Sequence, residues 1–214
     1  MEKTFWNAVK GRRSIYALGN EKIVSEEKIQ EIVTDALLHT PSPFNSQSTR
    51  LVLLFNKEHK KLWQITLDEL EKKVSPEQFE QTANKVNGCF ASGYGTILFF
   101  EEKKIVDNLC SGFPSYADRF PYWSHHTNAM HQFVIWSALE AEGLGASLQH
   151  YNPLIDEEVR KNWNLPESWQ LIAQMPFGSV LAPAGEKEFG KIEDRLKIFK
   201  WIQQIKNALG FLLL

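Results

Sequence analysis

The sequence predicts an α+β fold, and three observations lead to that prediction. Continuous apolar runs of strand length occur at 51–55 and 97–100. Elsewhere apolar residues recur with the 3.6-residue period of helices, most clearly between residues 29 and 37. These helices and strands do not alternate regularly, as they would in a doubly wound parallel sheet. A chain of 214 residues can bury its core as one large domain.

Capping residues and apolar spacing place the elements of the first half. Ser25 caps a helix whose first turn carries acids, which the helix dipole favours there. Ser75, followed by proline and by Gln78, predicts another helix start. A strand at 49–56 is apolar on both faces, so we expect it inside the sheet. The predicted elements are a helix at 3–12, a helix between 25 and 40, the strand at 49–56, a helix around 62–74 and a helix from 75.

The second half is predicted around one long apolar helix. Residues 124–143 are apolar nearly all round, which is typical of a helix buried on several sides, in the middle of a molecule or along a dimer axis. The preceding segment, 111–123, is rich in Gly, Pro and aromatic residues, which predicts a surface loop. The other predicted elements are strands at 95–102, 145–151 and 169–177 and a helix at 156–163.

Composition and charge exclude several classes of function. A net charge of −2 gives no electrostatic footprint for nucleic acid. Cys89 and Cys110 form no closely spaced pair, so we expect free thiols in a reducing compartment. The N-terminus has no apolar run of signal-peptide length, and no run is long enough to span a bilayer. We therefore expect a cytoplasmic protein with neither membrane nor nucleic-acid partners.

Several common enzyme motifs are missing. The Gly-X-Gly pairs at 93–95 and 143–145 lead into strands rather than into helices, so neither is a dinucleotide fingerprint. No P-loop and no serine-nucleophile elbow occurs. His125, His126 and His131 lack the spacing and the nearby acids of a metal site. We predict no metal and interpret these histidines as solvent-facing or as part of the helix start.

Two stretches indicate a bound cofactor instead. Arg12, Arg13 and Ser14 stand at the end of a short amphipathic helix, where guanidinium forks and a hydroxyl match phosphate oxygens. Residues 42–47 form a turn dense in amide donors and acceptors, directly before an apolar strand, and suit the polar edge of a heterocycle such as flavin. Taken singly, the first stretch could be a solvated surface pair and the second an ordinary turn.

Two later segments complete a four-part pattern. Small residues within 143–150 let the backbone approach a ligand closely, and Lys187 and Arg195 supply further cations. Together with RRSIYALG at 12–19 and SPFNSQSTR at 42–50, this order resembles the nitroreductase-like family of FMN-dependent oxidoreductases. Within that family the chain is similar to the fatty-acid-repression-mutant and copper-induced nitroreductase subgroup. The resemblance covers roughly residues 3–199.

The resemblance implies a central, mostly antiparallel sheet flanked by helices, in an intertwined homodimer with FMN at the interface. Arg12 would bind the FMN phosphate, while Arg13 and Ser14 would hold phosphate or ribityl oxygens. The residues implied at the flavin ring, partly from the partner chain, are Asn45, Ser46, Gln47, the backbone of Pro43, and Gln149 and His150 near N5. Lys187 would be a further phosphate cation and Arg195 a second one.

The same resemblance implies that the flavin carries the chemistry, with no essential catalytic side chain. NADH or NADPH would reduce FMN and leave, and an electron-poor nitroaromatic or quinone would then take its place, in a ping-pong mechanism. Defence against oxidants or electrophiles would be the role of such an enzyme.

Tyr16 departs from the pattern of the larger relatives, which place lysine or arginine near the N1/O2 edge of the flavin. A neutral phenol stabilises reduced flavin less well than a cation does. The alternative function is therefore a flavin-binding regulatory protein that senses redox or lipid status with slow turnover.

The domain prediction is one FMN-binding domain at 1–200 and a C-terminal extension at 201–214. The extension could form a helix laid across the partner subunit, or a frayed tail. The aromatic segment 113–123 is interpreted either as a lid that stacks on planar acceptors or as packing.

Overall fold

A computed structural model describes residues 3–199, which contain seven α-helices and five strands. In chain order these are α1 (Phe5–Gly11), β1 (Leu18–Gly19), α2 (Glu26–His39), β2 (Thr49–Phe55), α3 (Asn56–Glu71), α4 (Pro76–Cys89), β3 (Gly95–Glu102), α5 (Lys103–Gly112), α6 (Phe120–Ala141), β4 (Gly145–Ala146), α7 (Asp156–Asn162) and β5 (Trp169–Val180). None of the described helices has the length and apolarity needed to cross a membrane.

The sheet is antiparallel throughout, in the order β1-β5-β3-β2, with β4 pairing β5. This confirms the predicted α+β class and the antiparallel sheet. The prediction that β2 lies inside the sheet is wrong, because β2 is an edge strand among the described residues. Apolar residues on both faces of a strand indicate that both faces of the sheet are covered at that strand. They do not indicate whether the strand has one neighbouring strand or two.

Helices cover both faces of β3. Ile97 and Phe99 pack with α2 and α6 on one face, while Leu98 and Phe100 pack with α3, α4 and α7 on the other. All four side chains are fully buried. Alternate residues of a strand point to opposite faces, so a strand covered on both sides is apolar at consecutive positions.

The predicted helix starts are confirmed. The Ser25 hydroxyl accepts a hydrogen bond from the Lys28 amide at 3.1 Å. Ser75 and Gln78 form a reciprocal capping box, in which the Ser75 hydroxyl accepts from the Gln78 amide and the Gln78 side chain accepts from the Ser75 amide.

Burial of the long helix α6 on several sides holds for its last residues, 135–141, none of which is exposed and where α1 also packs, whereas residues 121–134 leave one face exposed within a single chain. Its buried residues include polar ones, such as Thr127, Asn128 and Gln132. The apolar residues exposed on it are Met130, Phe133 and Val134, which are 39%, 40% and 42% exposed. The periodicity of the sequence could not identify the buried face, because apolar residues occur all round the helix.

Several predicted boundaries need correction, including the start of α3, which is predicted near residue 62 and lies at Asn56. The loop predicted at 111–123 is irregular only between α5 and α6, and a 3-10 helix at Pro114–Tyr116 lies within it. Pro121 lies in the first turn of α6, where proline is compatible with a helix. The strand predicted at 145–151 is reduced to β4 and one bridge between Gln149 and Gln174. Helix α5 and the two-residue strand β1 are additional elements that the sequence did not predict.

The chain divides into two compact units, 1–184 and 185–214. The described part of the second unit contains a 3-10 helix at Ile192–Asp194, and the Arg195 amide donates to the Ile192 carbonyl at 3.0 Å. The predicted extension at 201–214 lies outside the described residues, and the single domain at 1–200 stays a prediction.

Candidate functional site

Arg12 is partly withdrawn from water at the end of α1. Its backbone amide donates to the Ala8 carbonyl at 2.8 Å, which ends the helix. Its guanidinium lies over the Trp136 ring, 4.5 Å from the centroid. Burial and, secondarily, repulsion from Arg13 lower the pKa of Arg12, yet a guanidinium remains charged in a protein. Its Nε is buried and has no hydrogen-bond partner among residues 3–199.

The residues after Arg12 lie beside the segment predicted to approach a ligand. Ser14 forms a parallel bridge with Ala146, and the Ile15 amide donates to the Ala146 carbonyl at 2.9 Å. A side chain at Gly145 would collide with Ile15, so the close approach of the two backbones requires glycine. The structure therefore brings 12–16 and 143–146 together.

A cavity of about 290 Å³ lies beside this junction. Arg13, Lys3 and Glu140 line it together with Trp136 and backbone of α1. Lys3 and Glu140 form an ion pair at 2.6 Å. Arg13 therefore lines the cavity as a cation in addition to Lys3, whose charge is already paired with Glu140.

The turn at 42–47 has an unusual backbone. Phe44, Asn45 and Gln47 have positive φ values of 55°, 50° and 48°. Such conformations cost about 1–3 kcal/mol each and persist where the surroundings hold them. The Ser42 hydroxyl accepts from the Gln47 amide at 3.0 Å, and Arg50 donates to the Gln47 carbonyl at 2.8 Å.

The same turn leaves its amide side chains available. Asn45 and Gln47 are exposed, and neither side chain has a hydrogen bond within the described part of the chain. Pro43 and Ser46 are half-buried, and the Ser46 amide donates to the Pro43 carbonyl at 3.0 Å. The turn therefore presents two side-chain amides without hydrogen bonds in the described part of the chain, on a backbone that is fixed by hydrogen bonds from Gln47 and Arg50.

The two predicted halves of the site do not meet within one chain. Arg12 contacts α6 at Trp136, whereas the turn contacts α6 at Phe120, whose ring is 5.3 Å from that of Phe44. Sixteen residues at about 1.5 Å each place these two contacts about 24 Å apart along the helix axis.

Gln149 and His150 differ in their surroundings. The Gln149 amide donates to the Gln174 carbonyl at 2.7 Å, and the Gln149 side chain donates to the Ser147 hydroxyl at 3.0 Å. His150 is exposed. His150 is thus the residue of this pair that is open to solvent.

Tyr16 and the two distal cations complete the predicted set. Tyr16 is 46% exposed, and its ring centroid is 6.4 Å from that of Phe90. Lys187 and Arg195 belong to the second compact unit, where the Lys187 ammonium lies 5.1 Å from the centroid of Phe189. Their part in a phosphate site stays a prediction.

The three histidines of α6 have different environments. His125 and His126 are exposed, whereas His131 is buried and donates to the Thr127 carbonyl at 2.9 Å, so it does not face solvent as expected. Burial lowers the pKa of His131. No cluster of three or more His, Cys, Asp or Glu suited to a metal occurs among residues 3–199.

Two features of the site were not identified from the sequence. One is Trp136, predicted only as an apolar residue of α6; its spacing of four from Glu140 puts both on the face that meets α1. The other is an aromatic cluster centred on Phe44. The Phe44 ring lies 4.8 Å from Phe113 and 6.2 Å from Tyr116. The richness of 113–123 in aromatic residues was a signal for this cluster, but the contact with the turn depends on the fold.

Comparisons with known proteins identify one family. The family profile named Nitroreductase family matches residues 9–179. The HBN1 protein of Saccharomyces cerevisiae, named as a nitroreductase, is 38% identical over 199 residues, which are 92% of this chain and 97% of that protein. The nitroreductase FRM2 of the same yeast is 33% identical over 190 residues, which are 86% of this chain and 92% of that protein.

Solved structures agree with these relatives. Nitroreductase CinD from Lactococcus lactis, in complex with chloramphenicol, is 45% identical with a TM-score of 0.84, covering 92% of this chain and 100% of that chain. A protein from Exiguobacterium sibiricum, solved in complex with FMN, is 16% identical with a TM-score of 0.65, covering 92% of this chain and 98% of that chain, and shares the fold. The chain therefore belongs to the nitroreductase family of oxidoreductases.

Proposed function

We propose that this protein is an FMN-dependent oxidoreductase that uses NADH or NADPH to reduce nitroaromatics or quinones. Membership of the nitroreductase family supports this proposal, as do a related structure that holds chloramphenicol and a more distant one that holds FMN. A cytoplasmic role in defence against oxidants or electrophiles would be consistent with it.

Arg12 is the observation that supports the proposal most directly. A partly desolvated guanidinium favours an anionic ligand at its terminal nitrogens, because the anion restores interactions that burial has removed. The residues therefore fit a phosphate. Arg12 would bind the FMN phosphate, Arg13 and Ser14 would add phosphate or ribityl contacts, and Lys187 and Arg195 would contribute further positive charge.

The turn at 42–47 fits the polar edge of the flavin ring. Asn45 and Gln47 offer amide groups that can both donate and accept, and the strained backbone favours a fixed presentation of them. Pro43 and Ser46 would contribute through the backbone. Gln149 and His150 would lie near N5, where the exposed His150 is the more accessible of the two.

The separation of the two halves along α6 supports a homodimer with a shared site. Because they lie about 24 Å apart on α6, the turn of one chain would join the arginines of the other. A second copy would also cover the exposed apolar residues of α6 and a groove of about 650 Å³ between α2 and α6. Ile32 and Ala36 of α2 face Phe133 and Val134 of α6 across that groove.

The reaction needs little from protein side chains beyond position. When bound, FMN supplies the electron transfer, taking electrons from NADH or NADPH and passing them to the second substrate. The chain holds the phosphate, orients the ring edge and provides aromatic faces. Phe44, Phe113 and Tyr116 are about half exposed beside the turn and suit a planar aromatic acceptor. No side chain is assigned a catalytic role.

Tyr16 supports a second candidate, a flavin-binding regulatory protein with slow turnover. Its neutral phenol is exposed in the segment that would border the N1/O2 edge. Oriented donors at that edge favour the reduced flavin, and a cation does so more strongly than a phenol.

One experiment distinguishes the candidates. The visible spectrum of the purified protein is recorded before and after anaerobic NADH or NADPH, and steady-state turnover is then measured with a nitroaromatic and a quinone. We expect a flavin spectrum that bleaches, and turnover of about 1–10³ per second. Bleaching with far slower turnover favours the regulatory protein. A colourless protein that gains no flavin on titration excludes both.

A further inference from the structure

Glu101 is a buried carboxylate that forms no ion pair with a lysine or arginine in the described part of the chain. Glu101 is only 1% exposed. Burying a charge is costly unless hydrogen bonds compensate for the lost water. Three do so here. Oε2 accepts from the Ser48 hydroxyl at 2.6 Å, and Oε1 accepts from the Thr49 hydroxyl at 2.7 Å and from the Asn128 amide at 2.9 Å.

Two of these donors directly follow the strained turn. Ser48 and Thr49 are the next residues after Gln47, whose φ is 48°. The backbone repeats the connection, because the Glu102 amide donates to the Ser48 carbonyl at 2.9 Å and Thr49 pairs with Glu101 in the sheet. Glu101 thus fixes the end of the turn through side chains and main chain together.

The third donor connects the turn to α6. Asn128 also donates to the Phe100 carbonyl at 3.1 Å, and its oxygen accepts from Gln132 at 2.7 Å. The hydrogen bonds to the carboxylate are charge-assisted and therefore among the stronger ones in a protein. One side chain consequently sets the position of the turn relative to both β3 and α6.

We propose that Glu101 is a positioning residue for the cofactor site. Its carboxylate holds the turn at 42–47 in the conformation from which Asn45 and Gln47 reach the flavin ring edge in the partner's site. It contacts neither cofactor nor substrate. This inference rests on the proposed function, whereas the ordering of the turn by Glu101 can be measured without FMN.

The alternative is that Glu101 only stabilises the sheet, and a control on the same strand separates the two. Thr96 is also fully buried in β3, where its hydroxyl bonds to the side chains of His59 and Trp63. The variant Thr96→Val removes buried hydrogen bonds from β3 without touching the turn. Glu101→Leu removes those that hold the turn. Glu101→Gln keeps an oxygen for Thr49 and Asn128, and its NH2 can donate to the Ser48 hydroxyl.

The first measurement is hydrogen exchange of the FMN-free protein, followed at the Gln47 amide. We expect exchange at least about tenfold faster in Glu101→Leu, because each hydrogen bond to a charged group contributes more than a factor of ten. Thr96→Val should leave this amide within about threefold of the parent, and Glu101→Gln, which keeps hydrogen bonds but not the charge, should lie between the parent and Glu101→Leu. If Glu101→Leu does not fold, Thr49→Val is used instead, and exchange of the Gln47 amide should again be faster than in the parent. Unchanged exchange in a folded variant overturns the proposal.

The second measurement is FMN titration followed by fluorescence and by the flavin absorption spectrum. Glu101→Leu should weaken FMN binding about tenfold or more and alter the spectrum, whereas Glu101→Gln should restore both in part and Thr96→Val should change neither. Parent-like FMN binding and spectrum in Glu101→Leu contradict the positioning role. If the parent protein itself binds no FMN, the proposed function fails, and the exchange measurement still decides whether Glu101 orders the turn.

Discussion

At the residue scale, Arg12 combines a charge with partial loss of water. The guanidinium stacks on Trp136, which compensates part of the desolvation through the face of the indole. The buried Nε keeps an unused donor. A phosphate should bind a partly desolvated arginine more tightly than an exposed one. The exposed guanidinium must first give up its hydrogen bonds to water, whereas the partly buried one has already lost some of them.

The variant Arg12→Ala should therefore lose FMN. We expect the dissociation constant for FMN to rise about ten- to hundredfold, since one charge-assisted hydrogen bond contributes about 1.5–3 kcal/mol. Lys10→Ala is the matched control, because Lys10 is an exposed cation in the last turn of the same helix. Fluorescence titration with FMN measures both variants. Equal weakening in both would mean that the overall positive charge, and not Arg12, binds the cofactor.

At the element scale, His59 joins α3 to the start of β3. Its Nε2 lies 3.2 Å from the Ala91 carbonyl, which can only accept, so Nε2 carries the proton. Nδ1 then accepts from the Thr96 hydroxyl at 2.8 Å, and that hydroxyl accepts from Trp63 Nε1 at 3.0 Å. A second proton on His59 would leave the Thr96 hydroxyl proton without its acceptor.

This contact predicts a pH-dependent stability. Burial lowers the pKa of His59 to about 4, below the ordinary value of about 6.5 in the unfolded chain. The unfolded state therefore binds the proton more readily, and stability is full above about pH 6.5 and declines as the pH falls towards 4. Between about pH 7 and pH 5 the free energy of unfolding should fall by about 2 kcal/mol from this residue.

Denaturant titrations at the two pH values measure this loss. His59→Asn should lack that part of the pH dependence, although it is less stable at neutral pH. His126→Asn, which alters an exposed histidine, should keep the dependence of the parent. An unchanged pH dependence in His59→Asn would show that another group is responsible.

At the scale of the whole molecule, the single chain has an exposed apolar surface on its longest helix. Met130, Phe133 and Val134 are each about two-fifths exposed on α6. Several polar residues of that helix are buried on its other side, where Asn128 and Gln132 join the Glu101 hydrogen bonds. Exposed apolar and buried polar residues reverse the usual pattern of a surface helix, which is explained if a second copy packs against α6. Interfaces of permanent dimers commonly bury more than about 2,000 Å².

Phe133→Glu should therefore weaken the dimer. A carboxylate placed in an apolar interface without a partner should raise the dimer dissociation constant by about a hundredfold or more, and bound FMN should be lost with it. Sedimentation velocity over a dilution series measures the first effect and the flavin absorbance measures the second. Ile23→Glu is the control, since Ile23 is similarly exposed but belongs to the segment between β1 and α2 and not to α6. A folded, flavin-bound monomer would contradict the shared site.

The local features were determined by the sequence alone. The starts of α2 and α4, the buried strand β3 and the two candidate ligand stretches follow from capping residues, from consecutive apolar residues and from side chains close together in the chain. Such features depend on nearest neighbours, so their signals lie within a few residues. The family resemblance, now confirmed, also rests on two short motifs.

Only the tertiary structure decided which surfaces meet. It placed β2 at the edge of the sheet, turned the polar residues of α6 inward and brought Glu101 to the turn, fifty-odd residues away in sequence. It also placed the two candidate stretches against different parts of α6, Arg12 at Trp136 and the turn at Phe120. Each of these features depends on packing between segments that are distant in the sequence. The free energy of such packing depends on which surfaces become buried against each other, and the residues next to each other in the sequence do not determine that.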